Sequence, residues 1–140
     1  MVILHKSGEN YLKTIYLLHQ KYGIVRECDI AESMGFSKAS VCHMIKRLSE
    51  QGYLTVKKND VQLSPAGTEM AEIIYRRFLI IRYFLINVLE IDRAIAENEA
   101  CEIEHIISED TVSALSNLLI KKGVTSYDLL TSQTVHKRLQ

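Results

Sequence analysis

The sequence predicts a mainly α protein, an N-terminal winged helix-turn-helix with a small β-hairpin wing followed by a C-terminal helical domain. Three observations carry that prediction. Pro65 is the only proline and there are six glycines among 140 residues, so long helices are favoured over a many-turned β sandwich. Two short helical patterns are joined by a tight turn at Gly35. A short alternating β pattern, "YLTVKKNDVQL", follows at once.

Taken in order, residues 9–22, "ENYLKTIYLLHQKY", place Tyr11, Leu12, Ile15 and Tyr16 at helical spacing, with Gly23 as the stop. "CDIAESMGF" reads as a second, brief helix that turns Ile30, Ala31 and Met34 inward and ends at Gly35. Ser37 stands where an N-cap belongs, ahead of the third helix "KASVCHMIKRLSE". On a repeat of about 3.6 residues, Val41, Met44, Ile45 and Leu48 form one apolar stripe, with Cys42 on its edge as a packing residue. The opposite face carries Ala39, Ser40, His43, Lys46 and Arg47, with Glu50 at the end of the helix.

Small residues at the start of such a helix permit close approach to a base edge, Ser and His can bond to it, and Lys and Arg neutralise phosphates. "YLTV" and "VQL" alternate as strands, with Lys57, Lys58 and Asn59 at the turn between them. Ser64 then caps the next helix and Pro65 is its first residue. The candidate DNA contacts are therefore Arg26, Ser37, Lys38, Ala39, Ser40, His43, Lys46, Arg47, Lys57, Lys58 and Asn59.

Charge agrees with this division. The chain is neutral overall, yet residues 1–64 hold nine Lys and Arg against six Asp and Glu, and the remainder eight against eleven. At 47% hydrophobic and 24% charged, the composition is that of a globular protein. Three cysteines, Cys28, Cys42 and Cys101, cannot all pair, and with no signal pattern at the N-terminus they predict reduced thiols in the cytoplasm. The run "FLIIRYFLINVLEI" is interrupted by Arg82 and falls short of the roughly 20 residues that cross a bilayer, so no membrane contact is expected.

From Pro65 a helical pattern continues to about Leu89, leaving the winged helix and entering a second unit. Residues 92–107 and 109–122 read as two further helices, and 126–130 as a short last one before a polar, frayed end. Ile103, Ile106 and Ile107 on one, and Val112, Leu115, Leu118 and Leu119 on the other, form stripes wide enough to be buried. So small a unit buries them best against a second copy. The expected domains are thus 1–72, winged helix for DNA, and 73–140, helical for dimerisation, joined by the long helix 65–90; the motif described next adds metal sensing to the second.

The second unit also holds "EACEIEHIIS", in which Cys101, Glu104 and His105 share one helical face, with Glu97 a turn earlier. A thiolate, a carboxylate and an imidazole suit a borderline divalent ion. With "NYLKTIY", "DIAESMGFSKASVCHMIKRL" and "VQLSPAG", this segment resembles the diphtheria toxin repressor and manganese transport regulator family of metal-dependent repressors, over roughly residues 7–122. The resemblance implies a dimeric repressor, in a short two-domain form, that binds a palindromic double-stranded DNA operator when Fe²⁺ or Mn²⁺ is loaded.

It implies metal ligands at Cys101, Glu104 and His105; Glu97, on the same arc of the helix, can add an oxygen, and Asn10, where the family has Met or Asp, can offer a neutral carbonyl oxygen. At other positions where the family places ligands, this chain has Lys13, Phe78 and Arg82. Three readings follow: a working site of altered geometry, a site in which Lys13 or Arg82 replaces the metal against Glu104, or polar residues along a helix edge. The alternative function is a metal- or thiol-responsive protein-interaction module built on a winged helix. No enzyme is expected, because Cys101 and His105 share a helix without oxyanion donors or an orienting group, and no small organic substrate is predicted.

Overall fold

The computed structural model describes residues 4–131. Seven helices and one hairpin follow in order: α1 Lys6–Tyr22, α2 Glu27–Met34, α3 Lys38–Glu50, β1 Leu54–Lys57, β2 Asp60–Leu63, α4 Pro65–Tyr83, α5 Arg93–Ile103, α6 Glu109–Lys121 and α7 Ser126–Leu130. The architecture is mainly α, as the sequence predicts. The chain divides into two units between Ile74 and Tyr75, within α4. The polar tail after Thr131 lies outside the described residues.

The first unit closes around Tyr11, Leu12 and Ile15 of α1, Ile30 of α2, and Val41, Ile45 and Leu48 of α3, with Leu54 and Val61 of the hairpin. Three helix starts here have a chemical cause. Asp29 accepts the Arg26 backbone N–H at 2.9 Å, serving an amide that α2 leaves free. Ser37 Oγ accepts the Ser40 N–H at 3.1 Å, capping α3. Ser64 Oγ accepts the Gly67 N–H at 3.1 Å and donates to Gly52 O at 2.6 Å, so one hydroxyl caps α4 and holds the turn before the hairpin. Gly67 is required here: a Cβ would stand 2.1 Å from the Tyr53 carbonyl oxygen.

β1 and β2 pair antiparallel, with Leu54 opposite Leu63 and Lys57 opposite Asp60. The loop is only Lys58–Asn59, both left-handed at φ 50° and 65°. That is the geometry of a type I′ turn, whose twist matches the strands it joins.

The second unit has two small cores. Ile81, Leu85, Ile86, Ala96 and Ala100 form one, and Ile80, Tyr83, Val112 and Leu119 the other. The sequence expectations need two adjustments here. α4 ends at Tyr83 instead of Leu89, and Phe84–Val88 continues as a π turn. Asn87 Nδ2 donates to the Tyr83 carbonyl at 3.3 Å, supplying a partner near the change of pitch.

The helix expected over 92–107 stops at Ile103. Glu104–Ile106 form a turn in which the Ile106 N–H bonds to Ile103 O, because Ser108 must swing out to cap α6 through the Thr111 N–H. Ile106 is 82% exposed in the single chain as a result.

Candidate nucleic-acid interface and buried ion pair

α3 presents its polar face to solvent as its period demands. Val41, Ile45 and Leu48 are buried. Ser37, Lys38, Ala39, Ser40, His43, Lys46 and Arg47 are all exposed. The two hydroxyls at its start are linked, with Ser37 Oγ donating to Ser40 Oγ at 3.0 Å. Cys42 is exposed as well, not packed; it lies one residue beyond Val41, about 100° round the helix. The first turn holds no acidic residue, so the positive end of the helix dipole reinforces Lys38.

Lys57, Lys58 and Asn59 project at the exposed hairpin tip. Arg26 is also exposed, with its guanidinium turned back on Asp29, Nε 3.4 Å from Oδ2.

How the hairpin is anchored could not be read from local pattern. Asp60 accepts the Val25 N–H at 2.9 Å and a Gln62 Nε2 hydrogen at 2.8 Å. Those bonds hold its carboxyl below the ordinary aspartate range, the Val25 amide first and Gln62 second. The Val61 N–H returns to Val25 O at 2.7 Å. His19, at the end of α1, spans two carbonyls: Nδ1 lies 2.9 Å from Gly23 O and Nε2 2.6 Å from Val61 O. The wing is therefore tied at its base while its lysines are exposed at the tip.

The other candidate residues occupy two units. Asn10, half-buried, and Lys13, buried, lie on α1 in the first unit. Cys101, Glu104 and His105 lie in the second. Glu104 and His105 are brought together: His105 Nε2 is 3.1 Å from Glu104 Oε1, and both side chains are buried. Only Cys101 of the three is within α5; the other two belong to the turn after it.

Glu97 is engaged elsewhere. Arg82 Nη1 lies 3.6 Å from Glu97 Oε1, and Arg93 Nε donates to the same oxygen at 3.1 Å. Arg82 is buried, its side chain 10% exposed. Its Nη2 donates to Leu129 O at 3.2 Å, and its guanidinium carbon lies 5.2 Å from the centre of the Phe78 ring. Burial lowers the pKa of this guanidinium from its ordinary value, and the Glu97 charge works against that loss.

These residues do not fit a metal at Glu97. A divalent ion on that carboxylate would lie within roughly 5 Å of the guanidinium, a repulsion of several kcal/mol at an effective dielectric of about 20. Among the described residues no three His, Cys, Asp or Glu side chains are arranged to hold a metal ion.

Two family models match the chain. The iron dependent repressor N-terminal DNA binding domain matches residues 3–60. The iron dependent repressor metal binding and dimerisation domain matches residues 64–122. The HTH-type transcriptional regulator MntR of Lysinibacillus sphaericus is 29% identical over 114 residues, 81% of each chain. MntR of Listeria welshimeri is 28% identical over 114 residues, covering 81% of this chain and 80% of the relative.

Among solved structures, the manganese regulator SloR is similar at a TM-score of 0.72 and 30% identity, over 84% of this chain and 54% of that one. The metal-dependent transcriptional regulator MtsR is similar at 0.76 and 29%, over 80% and 53%. The chain thus spans about half the length of these two solved structures.

Proposed function

The chain belongs to the iron-dependent repressor family of transcriptional regulators, and from that premise we propose that it represses transcription by binding a palindromic DNA operator as a homodimer. One observation carries the reading. The buried stripe of α3 leaves every polar residue from Ser37 to Arg47 that faces away from the core in solvent, and a lysine-tipped hairpin follows in the same unit. In use, Ser37, Lys38, Ala39, Ser40 and His43 meet base edges in the major groove. Lys46, Arg47, Lys57 and Lys58 meet phosphates, Asn59 supports the wing contact, and Arg26 adds charge beside α2.

Pairing rests on the second unit, where Ile95, Ile106, Ile120 and Tyr127 are each more than half exposed. Apolar surface of that extent is covered most readily by a second copy, and a twofold dimer presents two recognition helices to two half-sites. We place the protein in the cytoplasm, where it would meet DNA; no helix among the described residues is long and apolar enough to cross a membrane. This function involves no catalytic step.

The Fe²⁺ or Mn²⁺ that the family relationship implies would fall to Cys101, Glu104 and His105 of the second unit. Glu97 is committed to Arg82 and Arg93, and no step of the function is routed through a metal.

Selection of a binding site from a random DNA pool, followed by footprinting, tests the proposal. A symmetric protected site with half-sites about one helical turn apart is expected. Absence of any protected site at low salt would contradict it.

A further inference from the structure

The domain that matches a metal-binding family model is crossed by a guanidinium where a carboxylate awaits a cation. We propose that Arg82 supplies, as part of the chain, the positive charge that a divalent ion would bring to the helical unit. The unit is then set in its working form without metal.

Four observations converge on this. Arg82 is buried, an expensive place for a charge unless it is paired. Its pairing is built from three elements: Arg82 on α4, the Glu97 carboxylate on α5 and the Leu129 carbonyl on α7. Phe78, one turn earlier on α4, offers no lone pair to a metal but lays its ring against the guanidinium. Arg93 donates to the same Glu97 oxygen from outside, so two cations share a carboxylate that would otherwise be a ligand.

A metal draws neighbouring helices together by taking ligands from each. Arg82 does the same with two nitrogens, and its planar fork suits one carboxylate and one carbonyl at once. The difference is regulatory. A metal can leave, and a residue cannot.

The proposal rests on the family reading above, but its test uses the intact protein without DNA, so its failure is separable from failure of the footprint. Metal content of anaerobically purified protein and its melting temperature with EDTA or added Mn²⁺ are measured for the natural chain, Arg82→Met and Arg82→Lys. The natural chain should carry no stoichiometric metal and melt at the same temperature in EDTA and Mn²⁺. Arg82→Met should lower the melting temperature by roughly 5–10 °C, and Arg82→Lys, which keeps the charge, should recover most of that loss. Stoichiometric Mn or Fe whose removal lowers the melting temperature would overturn the proposal. So would equal losses in the two variants, which would mean that Arg82 serves by packing alone.

Discussion

The cations of the recognition helix and hairpin tip, and the guanidinium of Arg82 in the helical unit, live under opposite conditions. On α3 and the hairpin tip, Lys38, Lys46, Arg47, Lys57 and Lys58 stand in water, where a charge costs nothing to hold and is available to a phosphate. In the helical unit, Arg82 is buried and spends its charge inside the molecule, on Glu97 and Leu129. A family whose second domain is described as metal binding would place an exchangeable cation in that region. Here the region has a fixed one. The lesson is that burial separates the roles of one residue type: the exposed cations of α3 and the hairpin tip are available to a phosphate, and the buried Arg82 already has its partners.

The contrast can be broken from either side. The largest effect is expected inside. Arg82→Met leaves Glu97 with Arg93 alone and the Leu129 carbonyl without its donor; since Glu97 is 37% exposed, water recovers part of the loss. About 2–3 kcal/mol should disappear in a denaturant titration, less than for a fully buried pair.

Removing exposed cations should leave stability alone and strike binding. Lys57→Ala combined with Lys58→Ala should weaken operator affinity roughly tenfold to thirtyfold at all sequences, and reduce the salt slope by about 2. An unchanged slope would remove the wing from the interface.

Ser37→Ala tests the capping hydroxyl on which the start of α3 depends. It should cost about 1 kcal/mol of stability by thermal melting, and blur base preference more than overall affinity.

The smallest effect is a pH dependence at the wing base. The Asp60 carboxyl is held below its ordinary range by the Val25 amide and Gln62. Its contribution is thus fully present above the unfolded aspartate pKa of about 3.9 and is lost as pH falls through the lower folded value. Asp60→Asn should be less stable than the natural chain near pH 6 by under about 1 kcal/mol, with the gap closing in acid. A gap that persists at pH 2 would exclude the carboxylate as its source.

What could be read in advance depended on how local its cause is. The stripe Val41, Ile45, Leu48, the cap at Ser37 and the pair Ser64–Pro65 are each decided within a turn of helix, and each stands where pattern places it. The break of α5 at Ile103 is decided by where the chain must go next, to the cap at Ser108, and so an unbroken helical pattern over 92–107 misled. Cys42 was misplaced because the edge of an apolar stripe and the surface differ by a single residue step.

Longer-range causes were invisible. His19 looked like one more helical residue, yet its ring reaches Val61, 42 positions along. Lys13 or Arg82 is the cation the sequence sets against Glu104, and Arg82 is recognisable as a misfit among metal ligands. The carboxylate that receives it is Glu97, while Glu104 Oε1 lies against His105.

The most direct test is operator affinity in EDTA compared with affinity in saturating Mn²⁺ or Fe²⁺, measured by titration of the same protein on the same selected site. With Arg82 in place of a removable ion, the dissociation constants should agree within about twofold. Binding that appears only with metal, or tightens tenfold or more on its addition, would contradict an internal cation and return the helical unit to metal control.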